Sequence, residues 1–109
     1  MSYEQGDKVL VPFPFTIETS SKPRPAIVIS NFIVNKTQDV ILAQITSKPR
    51  KDLFTYILDT EKLSDSLNLA SQVRCHKIFI IEKSTIFKKI SKLNDEGITE
   101  LKSKIFSLF

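Results

Sequence analysis

The sequence predicts an α+β domain, a small curled sheet followed by a C-terminal helix, on three observations. Five or more short apolar runs rich in β-branched residues come before any strong helical pattern. The last segment changes to a spacing of three and four residues. The 109 residues suffice for one real core and leave no room for a second module, so 1–109 is read as a single domain.

Lys8–Phe15 reads as the first strand, with Pro12 and Pro14 implying an edge position or a bulge near its end. Thr16–Lys22 is a loop by composition. Ala26–Phe32 begins with Ala26-Ile27-Val28-Ile29, an apolar run that fits a strand buried on both faces, and Asp39–Thr46 is a second apolar run, with β-branched residues. Ser47–Asp52 punctuates the chain, Phe54–Leu58 is another strand, Glu61–Ala70 a polar connection, and Ser71–Glu82 a strand region rich in Val, Ile and Phe. Ile86 and Ile90, four apart, allow a short helical turn over Thr85–Ile90, with Lys88, Lys89 and Lys92 as a solvated face. Ile98, Leu101, Ile105 and Leu108 then share one helical face. Asn94 or Asp95 can cap that helix, with acidic residues early and Lys102 and Lys104 late, as the helix dipole prefers.

Composition narrows the function classes. Sixteen Lys and Arg against 12 Asp and Glu give a net charge of +4, which favours polyanionic partners only weakly. One cysteine, Cys75, excludes an internal disulfide and fits a reducing compartment. With one histidine beside it, a multi-ligand His/Cys metal site is implausible, and no metal or cofactor is expected. Two glycines, Gly6 and Gly97, cannot build a Rossmann or Walker phosphate loop, and no strained Gly-x-Ser-x-Gly turn presents a serine to His76. The first seven residues have neither a basic nor an apolar signal region and no run could span a bilayer, so a cytoplasmic protein is expected.

The chemistry-bearing residues fall at strand ends. Arg24 lies between two prolines in Lys22-Pro23-Arg24-Pro25, which hold it extended at the mouth of an apolar strand. A guanidinium held there presents a charged donor fork suited to phosphate. Thr46 and Ser47 close another strand, and Arg74 and His76 flank Cys75, so strand alternation puts them on the same face. If these ends converge, the group could cleave RNA without metal. A base takes the ribose 2′-OH proton and the oxygen attacks the adjacent phosphate. His76 would be the base, Arg24 and Arg74 would hold the phosphorane oxygens, and Thr46 would donate a hydrogen bond. Ordinary structural readings compete: a half-buried histidine bonded to a carbonyl, an Arg74 salt bridge, and the β-propensity of threonine. So does a non-catalytic module that holds RNA or an acidic peptide on the same surface.

Four blocks together resemble the MazF/PemK-type toxins of bacterial toxin–antitoxin modules: Gly6–Phe15, Arg24–Ser30, Ile45-Thr46-Ser47 and Gln72-Val73-Arg74-Cys75. The resemblance implies an SH3-like barrel with helical additions. It also implies a homodimer and a metal-independent endoribonuclease that cuts single-stranded messenger RNA at short sequences. The products would carry 2′,3′-cyclic phosphate and 5′-hydroxyl ends, and an acidic antitoxin would block the site. The family's catalytic arginine falls on Arg24 and its catalytic threonine or serine on Thr46. Val73-Arg74-Cys75 matches a later stretch whose aspartate base falls on His76, a departure, and Ser91 stands where many relatives have glycine before Lys92-Leu93. Specificity would come from the loops Thr16–Lys22 and Ser47–Asp52. The expected RNA contacts are Thr16, Lys22, Ser47, Lys48, Arg50, Lys51 and Gln72, with Phe15 and Phe54 divided between base stacking and core packing.

Overall fold

A computed structural model describes residues 2–12, 22–64 and 71–109. Its elements are β1 (Asp7–Val11), β2 (Arg24–Val28), the short helix α1 (Phe32–Asn35), β3 (Asp39–Thr46), β4 (Thr55–Leu58), β5 (Ser71–Glu82), β6 (Lys88–Lys92) and α2 (Asp95–Phe106). Single 3₁₀ turns cover Thr60–Lys62 and Lys83–Thr85. All six strands pair antiparallel in the order β4-β5-β3-β2-β1-β6. The sheet curls until its two ends meet. Leu63, just after β4, bridges Leu93, just after β6, with Ser64 N–H donating to Lys92 O at 2.9 Å and Asn94 N–H to Lys62 O at 2.7 Å.

Apolar residues of β2 alternate between two cores, as a strand buried on both faces requires. Ile27 joins Ala43, Ile45, Leu58, Val73 and Cys75 beneath Leu101 and Ile105 of α2. Ala26 and Val28 join Tyr3, Val9, Val11, Val40, Leu42 and Phe79 on the other side. The predicted helix forms: Asn94 caps it by accepting from Gly97 N–H at 2.8 Å, and its buried stripe contains Leu101 and Ile105. Gly97 matters for packing, because a Cβ there would lie 2.5 Å from Leu93 Cδ1. Gly6, at φ +96°, makes the left-handed turn into β1.

Several boundaries differ from the sequence reading. β1 is an interior strand and ends at Val11, before Pro12, so that proline removes no ladder donor; its irregularity falls at Lys8/Val9. β2 starts at Arg24 and stops at Val28, because Asn31 caps α1 and a buried Ser30–Asn35 hydrogen-bonded pair turns the chain. The helical turn expected over Thr85–Ile90 is instead a 3₁₀ turn leading into β6, where pairing with β1 outweighs a two-residue apolar spacing. Lys89 and Lys92 are not a purely solvated face. Lys89 Nζ lies 3.0 Å from the buried Asp7 carboxylate, and Lys92 Nζ reaches Glu4 at 2.8 Å.

Candidate active site

β2 and β3 bring the two central residues together. Their register pairs Ala26 with Gln44, and continuing it by two residues sets Arg24 across from Thr46 where the ladder runs out. A cavity of about 440 Å³ opens at these strand ends, lined by Lys8, Lys22, Pro23, Arg24, Pro25, Gln44, Ile45, Thr46, Ser47, Lys48 and Ser71. Among the described lining residues four are cations and none is a carboxylate. Low-dielectric walls strengthen such a one-sign field, which suits a phosphodiester. Arg24 is exposed at the start of its strand, as the flanking prolines predict. Thr46 Oγ1 accepts from Lys48 N–H at 3.1 Å, a local turn that fixes the hydroxyl and brings Lys48 back over the cleft.

Lys8, Gln44 and Ser71 are lining residues that the sequence reading passed over. Gln44 was accessible through alternation, two residues before Thr46 on the same strand. Lys8 and Ser71 depend on register between distant strands, which the chain does not spell out. The Gln44 Oε1 and Ser71 Oγ atoms are buried and have no hydrogen-bond partner among the described residues. Buried polar atoms at a cleft wall with no partner among the described residues are positioned to bond a ligand.

Of the residues proposed from the sequence, Lys22, Ser47 and Lys48 line the cleft, whereas Arg50, Lys51, Gln72, Arg74 and His76 do not. Thr16 and Phe15 lie outside the described residues. The Gln72 side-chain oxygen accepts from Arg50 N–H at 2.9 Å, which holds the Ser47–Asp52 loop against β5. Arg74 completes that hold. Its guanidinium donates to Asp52 Oδ2 at 2.7 Å and to Thr55 Oγ1 at 2.8 Å, and Thr55 Oγ1 donates to Asp52 Oδ1 at 2.6 Å. The salt-bridge reading of Arg74 is therefore what the structure shows.

Burial works against ionisation of Asp52, but bonds from Thr55, Arg74 and Phe54 N–H outweigh it and hold its carboxyl below the usual aspartate value. A depressed carboxylate keeps its contribution at neutral pH and loses it as pH falls through the lowered value. Asp52→Asn is expected to loosen the loop. Trypsin should then cut after Arg50 or Lys51 several times faster than in the parent protein, with little change in melting temperature. An unchanged cutting rate would show that the latch is not what restrains the loop.

His76 is exposed, its ring centroid 4.0 Å from that of Phe54 and tilted by 49°. Partial desolvation, then the charges of Arg74 and Lys77, push its pKa below the ordinary histidine value, so it is mainly neutral at pH 7. Cys75 is buried, and burial raises its thiol to about 11, which makes it an inert core residue. Ser91, at the position of the second departure, is buried on β6 opposite Lys8.

A separate groove of about 550 Å³ runs between Tyr56 and α2. There Tyr56 donates to Glu100 at 2.7 Å, and burial followed by the Glu100 carboxylate pushes the phenol above its ordinary pKa. Lys62 binds the same carboxylate at 2.6 Å. This network ties α2 to β4 and leaves the cation-rich cleft as the better candidate site. Among the described residues no helix is long and apolar enough to cross a membrane.

The architecture recurs in solved structures of low sequence identity. An endoribonuclease from a mycobacterial species, solved with its cognate antitoxin, superposes with a TM-score of 0.78 at 14% identity, over 97% of this chain and 93% of that one. MazF from Deinococcus radiodurans gives 0.76 at 19% identity, over 99% and 96%. The Mycobacterium tuberculosis toxin MazF-mt6 gives 0.73 at 20%, over 93% of each chain. These likenesses establish the fold. No curated protein matches the sequence at a significant level. The PemK-like, MazF-like toxins of type II toxin–antitoxin systems match residues 4–109, nearly the whole chain, and it is to this toxin family that the chain belongs.

Proposed function

We propose that this toxin is an endoribonuclease that cuts single-stranded RNA at the Arg24–Thr46 cleft without a metal ion. The observation that carries the reading is the placement of an exposed guanidinium opposite a hydroxyl in a cavity walled by Lys8, Lys22 and Lys48 and free of carboxylates among its described lining residues. The ribose 2′-oxygen attacks the adjacent phosphorus, the bond to the 5′-oxygen breaks, and a 2′,3′-cyclic phosphate and a 5′-hydroxyl result. Arg24 stabilises the charge that develops on the phosphorane oxygens, and Thr46 donates a hydrogen bond to one of them. The cation cluster raises the acidity of the 2′-OH, whose proton passes to solvent, and the leaving oxygen takes its proton from water. His76 is not given the base role, because it does not line the cleft.

The same cations suit the carboxylates of an acidic antitoxin segment, which would block the cleft. The active unit is proposed to be a cytoplasmic homodimer, in keeping with the family.

The test is incubation of purified protein with long single-stranded RNA in EDTA, followed by mapping of the fragment ends. Discrete cuts with 5′-hydroxyl ends support the proposal. Intact RNA, with binding retained in a gel-shift assay, would instead support a module that holds RNA without cutting it.

A further inference from the structure

We propose that His76 and Phe54 form a stacking subsite for one base of the RNA strand bound at the cleft, with Arg74 as the positioning residue behind Phe54. This rests on the RNA reading above, and it begins from an irregularity in β5. Gln44 pairs with Arg74 whereas the preceding Ala43 pairs with Ile78, so Cys75, His76 and Lys77 have no counterparts on β3. A bulge of this kind re-aims side chains. Cys75 stays in the core, while His76 and Lys77 are both exposed, which regular alternation forbids.

The re-aimed imidazole is not loose. It rests on Phe54 at 4.0 Å between centroids, and the Arg74 guanidinium lies over the same phenyl ring with Cζ 5.1 Å from its centroid. Arg74 is in turn fixed by Asp52 and Thr55, and Phe54 O accepts from Cys75 N–H at 2.9 Å. The result is an aromatic step with a rigid base and an exposed upper ring.

Its place in the sheet points to RNA. Gln72 pairs with Thr46 and Arg74 with Gln44, so β5 lies one strand spacing, about 4.8 Å, from the cleft-lining ends of β3. Gln72, opposite Thr46, is four residues before His76, so a nucleotide chain that runs from Arg24 and Thr46 along β5 for roughly 13 Å reaches the His76 ring, with Lys77 beside it for a phosphate. Exposed aromatic faces next to cations are how single strands are held, and every base offers a π-face to a neutral imidazole.

Binding is measured in an Arg24→Ala background, which keeps RNA uncut. The probes are short single-stranded RNAs spanning the mapped cut site, or a random-sequence pool if no cut is found, with a fluorescent base analogue placed at each position in turn. His76→Ala should weaken binding by roughly fivefold or more. It should also abolish stacking-induced quenching at one position, and His76→Phe should restore both. In the cleaving protein, His76→Ala should raise KM with kcat nearly unchanged, and the pH profile of kcat should be the same with His76→Phe. Binding unaffected by His76→Ala, or lost equally in His76→Phe, would overturn the subsite. So would a kcat that collapses together with an acid limb of the pH profile, since that would make His76 a proton acceptor. Failure of wild-type cleavage with the binding pattern intact would remove the nuclease reading and leave this subsite standing.

Discussion

Arg24→Ala is expected to lower RNA cleavage by roughly 100- to 1000-fold, the loss measured when one group that stabilises transition-state charge is removed, about 3–4 kcal/mol. The remaining cations, Lys8, Lys22 and Lys48, still attract RNA, so binding should fall much less than kcat. The fold should not register the change, because Arg24 is exposed and begins its strand ahead of the first buried residue. Surface substitutions of this type usually move stability by no more than about 0.5 kcal/mol. The measurement is the rate of fragment appearance in EDTA beside a thermal melt of the same sample. Undiminished cleavage by a well-folded variant would remove Arg24 from the chemistry and the proposed function with it.

Ile27→Ala, three residues further along the same strand, should do the reverse. Ile27 has no exposed surface and packs between Ala43, Leu93 and the underside of α2 in the larger core. Deleting its side chain leaves a cavity that the surrounding strands cannot collapse around, with an expected cost of about 2–5 kcal/mol. Against a total stability of roughly 5–15 kcal/mol this is a large share, and the melting temperature should drop by roughly 10 °C or more. Cleavage per folded molecule, measured well below the melt, should stay near the parent value. A melting temperature unchanged by Ile27→Ala would mean that the core beneath α2 repacks freely.

The contrast between these two positions shows what was legible in the chain. Apolar alternation, proline placement and the change to helical spacing locate β2, β3, β5 and α2, and the same prolines place Arg24 at a strand mouth. Thr46 follows because it closes an apolar run. Lys8 and Ser71 do not follow, since their arrival at the cleft is decided by which strands pair across the sheet. Arg74 and His76 both pack on the Phe54 ring on either side of the buried Cys75, but nothing in Val73-Arg74-Cys75-His76-Lys77-Ile78 announces three residues without partners on β3 or the exposure of both His76 and Lys77. The Arg74–Asp52 pair spans 22 residues, so its partner could be guessed by charge but not chosen. β6 was misread because Ile86 and Ile90 mimic a helical spacing.

The meeting of Leu63 with Leu93 has a consequence for how the molecules behave toward one another. An antiparallel sheet with open sides is a template on which further chains can add strands. Here β4, one side strand, is only four residues long and is covered by the tie between Tyr56 and Glu100. β6, the other, carries Lys88, Lys89 and Lys92, so a second copy approaching in register would set like charges against one another. Lys89 and Lys92 are at the same time held by Asp7 and Glu4, so the residues that fasten the N-terminal segment also occupy the side of β6 on which another strand would have to add.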